Sequence, residues 1–221
     1  MVGNRIVVVC TANKIRSPFV AGLVLSRLPA FAGQRPIVES AGTAARPGDE
    51  AAPEVVELGR TYGVDLAGHR TRRLDDGVLA TGDTVLCAER AHRRVVLDVR
   101  PDLISNVFTV REFARLVEQP AVRDAASDWA GLVSAASRAR LAARTTADET
   151  DDLVDPVGRP RAVWTEFERQ ATGAVSIILG AVAALPARSA AAETTPHVGA
   201  TRRSHRAQLD VPSTRRAMRR G

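Results

Sequence analysis

Cys10 is followed, after five intervening residues, by Arg16, Ser17 and Pro18. Each residue type has a use in one reaction. A cysteine thiolate is a nucleophile. The planar arginine fork can hold two oxygens of a trigonal oxyanion. A serine hydroxyl can donate a hydrogen bond to the sulfur. The apolar run Ile6–Val9 predicts a buried strand ending at the cysteine. Pro18 suits the first turn of a helix, where its missing N–H costs nothing. The cysteine therefore falls on a strand–loop–helix junction, with loop N–H groups and a helix N-terminus around it. Such a junction binds anions. A thiolate beneath a phosphate cradle implies phosphoryl transfer through a cysteinyl-phosphate.

The spacing alone is unspecific, because Cys87 and Arg93 repeat it. There the arginine precedes Arg94 rather than Ser or Thr, and Glu89 lies inside the stretch, where it would repel phosphate. Cys87 reads as the end of a buried strand and as a small hydrophobe.

With its whole loop, Cys10-Thr11-Ala12-Asn13-Lys14-Ile15-Arg16-Ser17-Pro18, the chain resembles the low-molecular-weight protein tyrosine phosphatases. Ser40-Ala41-Gly42-Thr43 and Asp155-Pro156 agree with that family, in its order. The resemblance runs from about Arg5 to Leu185, with an insertion before Asp155. It implies that Cys10 is the nucleophile and that Arg16 and the loop residues Thr11 to Ile15 bind phosphate, with Ser17 supporting the sulfur. It implies that Ser40 supports the loop, although an ordinary strand-to-loop turn is the plainer reading of 40–43. It implies a histidine bonded toward the loop, which His69 matches; a surface or structural histidine is the alternative. Asp155 matches the general acid, which protonates the leaving oxygen and then activates water. The proline after Asp155 keeps that residue extended. Asp151 and Asp152 lack that context. Asn13 suits a left-handed loop position.

The loop departs from the family pattern in places. Ala12 stands where many members have glycine. Ile15 stands where some carry a second cysteine, so Cys10 is expected to overoxidise readily. Arg46 and Val157 lie near positions that are often aromatic, and aromatic walls grip a phosphotyrosine ring. Tyrosine specificity is therefore open, and a different phosphomonoester or a partner-supplied surface is the alternative.

The elements around the loop alternate. Expected strands are Arg5–Val9, Pro36–Glu39, Asp83–Cys87 and Asn106–Thr109. Expected helices are Pro18–Leu28, Ala51–Tyr62, Arg90–Leu97, Val110–Leu116, Ala121–Arg144 and Arg161–Leu185. This order predicts an α/β fold, with an open, mostly parallel four-stranded sheet and helices on both faces. A site at the end of the first strand is where such sheets bind ligands. The helical insertion at about 119–146 is expected to carry a plain surface helix with Trp129, Leu132 and Val133 buried; a lid or wall near the site is the alternative. Ala171–Leu185 carries no charge but is shorter than the roughly 20 residues of a membrane span, so no transmembrane span is expected.

The 221 residues accommodate one domain, expected at 1–185, and a tail at 186–221. Eight arginines in the tail, against Glu193 and Asp210, account for the net charge of +6. The basic character thus belongs to the tail and does not mark a nucleic-acid-binding domain. The tail is poor in large apolar residues and is expected to be disordered and solvated, with an anionic surface as a possible contact. Two cysteines form no disulfide framework, which fits a reducing, cytoplasmic setting. The N-terminal apolar run of about five residues is shorter than a signal-peptide core. High Arg and Ala content suggests a bacterial source. No metal-ligand spacing or cofactor fingerprint is present, and none is expected.

The sequence therefore predicts a phosphomonoester hydrolase acting on a phosphorylated protein or small ester. An arsenate reductase drawing on a small thiol, or a phosphate-binding module with weak activity, is the alternative.

Overall fold

A computed structural model of the chain describes residues 2–28, 36–75, 77–143 and 149–186. These fall within one compact unit, Met1–Arg188. The expected disordered tail lies, from residue 187 onward, outside the described residues.

The strands are β1 (Arg5–Cys10), β2 (Ile37–Gly42), β3 (Thr84–Cys87) and β4 (Val107–Thr109). They form one four-stranded sheet in the order β2-β1-β3-β4, and every pairing is parallel. Parallel strands buried on both faces need continuous apolar runs. Ile6 to Val9 and Val85 to Cys87 supply them, each fully buried. The chain leaves β1 to one side for β2 and returns to the other side for β3. The C-terminal end of β1 is thus the switch point where such sheets open a crevice.

The helices are α1 (Arg16–Arg27), α2 (Pro53–Thr61), α3 (Arg90–Val99), α4 (Val110–Val117), α5 (Pro120–Asp124), α6 (Trp129–Ala142) and α7 (Arg161–Ala183). One face of the sheet packs Ile6, Val8, Leu86 and Phe108 against α1, α4, α6 and α7. The other packs Val7, Val9, Val85 and Val107 against Leu74, Leu79 and, from α3, Val96. Alternate residues of each strand serve alternate cores, as the pleat requires. Phe19 of α1 lies against Tyr62 and Phe167 at ring distances of 5.7 and 5.6 Å. Burying each such ring contributes about 1.5–3 kcal/mol.

Two expectations need correction. Ser40, Ala41 and Gly42 are strand, not turn: β2 pairs with β1 as far as Cys10↔Gly42. Ala121–Arg144 is not one helix. Asp128 is extended (φ −156°, ψ 178°), and its carboxylate accepts from Gly131 N at 2.8 Å, which starts α6 anew after α5. Side-chain capping of this kind competes with helix continuation. Residues 144–148 lie outside the described residues.

Helix α6 buries Trp129, Leu132 and Val133, as expected, but it is more than a surface helix. Trp129 packs edge-on against Phe113 and donates to Thr84 Oγ1 at 3.1 Å. Arg140 donates to the carbonyls of Val107 and Ile104 at 2.7 and 2.8 Å. The helix thus covers the β4 edge, which would otherwise present unpaired carbonyls. Among the described residues no helix is long and apolar enough to cross a membrane.

Candidate active site

The loop from Cys10 to Arg16 joins the end of β1 to the start of α1. Cys10 is 3% exposed, and its Sγ lies 3.0 Å from Ser17 Oγ. That hydroxyl accepts from Asn13 Nδ2 at 2.9 Å and faces Ala41 O at 3.3 Å. It has one proton to give. When the sulfur is a thiolate, the proton turns to Sγ, and the amide of Asn13 still satisfies the oxygen.

Asn13 is the framework of the loop. Its φ of 56° puts it in the left-handed region, the only non-glycine residue there among those described. It is fully buried. Nδ2 also donates to Ser40 Oγ at 2.8 Å, Oδ1 accepts from Arg72 N at 2.9 Å, and the carbonyl accepts from His69 Nε2 at 2.8 Å. Ser40 and His69 thus both reach the loop, through Asn13. Burial pushes the His69 imidazole below its ordinary value, with nearby Arg70 adding to the effect and the bond to Asn13 opposing it. Its neutral form, with the proton on Nε2, makes that bond. Ala12 needs no left-handed backbone, so its Cβ is accommodated.

The segment after β2 is stitched to the loop as well. Thr43 N donates to Cys10 O and Ala44 N to Thr11 O, each at 2.9 Å. Gly42 passes so close that a Cβ there would lie 2.5 Å from Thr11 O and 2.8 Å from Asn13 N. Lys14 pairs with Asp49 at 2.8 Å, and Ile15 is buried beneath the loop. Arg46 and Val157 are exposed.

Arg16 is 3% exposed, and its guanidinium sits among acceptors. Nη2 donates to Asp155 Oδ2 at 2.7 Å and to Thr11 Oγ1 at 3.3 Å. Nη1 donates to Glu89 Oε1 and, at 3.4 Å, to Leu153 O. Asp155 is delivered by an anchored segment. Thr109 Oγ1 donates to Asp151 O, Leu153 N donates to Ala88 O, and Val154 N donates to Gln170 Oε1, at 2.8, 2.8 and 3.0 Å. Pro156 is buried, while the Asp155 side chain is 43% exposed. Asp151 and Asp152 instead pair with Arg115 and Arg90.

The sequence predicted Cys10, Arg16, Asp155, Asn13, Ser17, Ser40 and His69, and the fold brings them together. It did not predict Glu89 or His92. Glu89 lies two residues past the end of β3 and is the N-cap residue of α3; its N–H donates to His92 Nδ1 at 3.1 Å. That leaves Nε2 of the neutral ring to carry the proton, and it faces Thr11 Oγ1 at 2.9 Å. Burial pushes the His92 imidazole down, against the pull of Glu89. The available signal was topological. Residues just past the C-terminal end of β3, the neighbour of β1, open onto the same crevice.

The sequence model of the family described as low molecular weight phosphotyrosine protein phosphatase matches residues 5–125. The chain belongs to that family. Low molecular weight protein-tyrosine-phosphatase Etp of Escherichia coli (strain K12) is 30% identical over 121 residues, 55% of this chain and 76% of Etp. A protein-arginine-phosphatase of Geobacillus stearothermophilus is 28% identical over 152 residues, 68% of this chain and 91% of that protein. Among solved structures, the low molecular weight protein tyrosine phosphatase from T. tengcongensis superposes with a TM-score of 0.58 at 25% identity, over 80% of this chain and 97% of that one. The matched family segment holds the Cys10 loop, Ser40, His69 and Glu89 but stops before Asp155. Asp155, beyond that segment, is placed by the fold beside Arg16.

Proposed function

We propose that the protein is a phosphomonoester hydrolase of the protein tyrosine phosphatase class, working through a cysteinyl-phosphate, with its catalytic domain spanning 1–185 in the cytoplasm. One observation carries the reading: Cys10 Sγ ends a buried strand under a loop whose arginine is bonded to the carboxylate of Asp155. In the first step the Cys10 thiolate attacks phosphorus in line. The S–P bond forms, the bond from phosphorus to the ester oxygen breaks, and Asp155 gives its proton to the leaving oxygen. Arg16 and the N–H groups of Thr11 to Ile15 take the equatorial oxygens, where charge is spread in the transition state. In the second step Asp155 takes a proton from water, the new O–P bond forms, and the S–P bond breaks to release inorganic phosphate and the thiolate. Asn13, Ser17, Ser40 and His69 hold the loop in shape.

Substrate identity is the finer question. The exposed Arg46 and Val157 leave no aromatic grip at these positions for a tyrosine ring. A relative matched over 91% of its length is named a protein-arginine-phosphatase. A phosphoarginine side chain is accordingly the second reading. The arsenate reductase reading is not favoured by the family membership.

The test is phosphate release from a small aryl phosphate by wild type, Cys10→Ser and Asp155→Asn, followed by phosphotyrosine, phosphoarginine and phosphoserine peptides. Turnover that disappears with Cys10→Ser and drops sharply with Asp155→Asn is the expected result, with phosphotyrosine preferred. Folded wild type that turns over no phosphate ester or phosphoarginine would refute the reading.

A further inference from the structure

Arg16 has two carboxylate partners, one on each terminal nitrogen: Glu89 on Nη1 and Asp155 on Nη2. With both carboxylates in place the two terminal nitrogens are occupied, and Nη2 cannot turn to a phosphate oxygen. One carboxylate must give way when substrate enters. The two are held differently. Asp155 is 43% exposed, and apart from Arg16 its carboxylate is held, among the described residues, only by Val157 N, at 3.2 Å. Glu89 is 28% exposed and stands at the N-cap of α3, where its backbone is tied to His92 Nδ1. The nitrogen it holds also points at Leu153 O.

We propose that Glu89 is the positioning residue of Arg16. It holds Nη1 while Asp155 releases Nη2 to the phosphate, so that the guanidinium stays aimed at the oxyanion through both chemical steps. The proposal rests on the phosphatase reading above. The first turn of α3 then grips the loop twice, through Glu89 on Arg16 and through His92 on Thr11.

A positioning role and a capping role predict opposite rankings. Aspartate is a good helix N-cap and glutamine a poor one. Aspartate, however, is one methylene too short to reach Arg16, whereas glutamine keeps the length and an acceptor oxygen. The experiment is aryl phosphate turnover, inhibition by inorganic phosphate, and thermal melting for wild type, Glu89→Gln, Glu89→Asp, Arg16→Ala and both double variants. Activity is expected to rank wild type over Glu89→Gln over Glu89→Asp, with Glu89→Asp losing about 10- to 100-fold in kcat/KM, the scale of a misplaced catalytic group. Melting temperature is expected to rank Glu89→Asp over Glu89→Gln. In the Arg16→Ala background neither Glu89 change should matter beyond about twofold, because a residue acting through Arg16 has nothing left to act on. Activity that follows the melting order, unchanged kcat/KM in both single variants, or equal losses in both backgrounds would overturn the role of Glu89 alone. A folded wild type without turnover would overturn the phosphatase reading and this proposal with it.

Discussion

Asn13 Nδ2 donates to Ser17 Oγ at 2.9 Å, so the serine proton is left for Cys10 Sγ, 3.0 Å away, or Ala41 O, 3.3 Å away. The same amide holds Ser40. Asn13→Asp keeps the size and the acceptor for Arg72 N but loses both donations. It should lower kcat for an aryl phosphate by about tenfold or more, since it disturbs the group beside Cys10. Asn13→Ala loses every side-chain bond and must still adopt φ 56°, so it should also destabilise by about 2–4 kcal/mol. Denaturant melts and kcat for both variants check this; wild-type kcat in Asn13→Asp would remove the amide from the mechanism.

Gly42 has no room for a side chain. A Cβ would lie 2.5 Å from Thr11 O and 2.8 Å from Asn13 N, both backbone atoms of the loop. Gly42→Ala should therefore push the loop, costing about 1–3 kcal/mol of overpacking. Its loss of kcat/KM should exceed what the lost folded fraction explains. Phosphate release per folded molecule, with folding followed by circular dichroism, measures it.

Acid should weaken the fold through two histidines. Burial holds His69 and His92 below the ordinary value of about 6.5. The unfolded chain therefore takes up protons first as pH falls. The stability these rings confer is complete above about 6.5 and declines as pH drops toward their folded values. Melting temperatures at pH 7.5 and 5.5 should fall further apart for wild type than for His69→Gln or His92→Gln. Equal pH shifts in all the proteins would show that other groups set the slope.

Cys10 and Cys87 cannot protect one another. Cys10 faces the core beneath α1, and Cys87 faces the opposite core on the far side of the sheet. Burial also pushes the Cys87 thiol far up, so it stays protonated and inert. Peroxide should carry Cys10 past the sulfenic acid to sulfinic or sulfonic forms that thiols do not reverse. Intact mass and residual activity should change alike in wild type and Cys87→Ser. Full recovery with thiol after prolonged peroxide would point to a protecting partner.

Trp129 tests whether α6 is a wall of the core or a part of the site. It is 3% exposed and bonded to Thr84 on β3. Trp129→Ala should cost about 3–5 kcal/mol. Activity per folded molecule, measured below the melting transition, should remain near wild type; a large specific loss of kcat would tie α6 to catalysis.

The sequence by itself determined the strand–loop–helix junction at Cys10, the order of strands and the burial of β1 and β3, and its resemblance to the family pointed to Ser40, His69 and Asp155 as companions of Cys10. These were legible because they are local: an apolar run stops at a cysteine, a proline opens a helix, and a small set of motifs stands in order. Tertiary structure decided the rest. Glu89, the acid inside the second Cys-x5-Arg stretch, rules that stretch out as a phosphate loop, yet parallel pairing of β3 with β1 sets it on Arg16. Ser40 to Gly42 became strand because β1 offered a partner as far as Cys10. The break between α5 and α6 turned on one carboxylate reaching Gly131 N. Each of these depends on which backbone or side-chain group lies across a gap in space, and neither spacing nor composition encodes that distance.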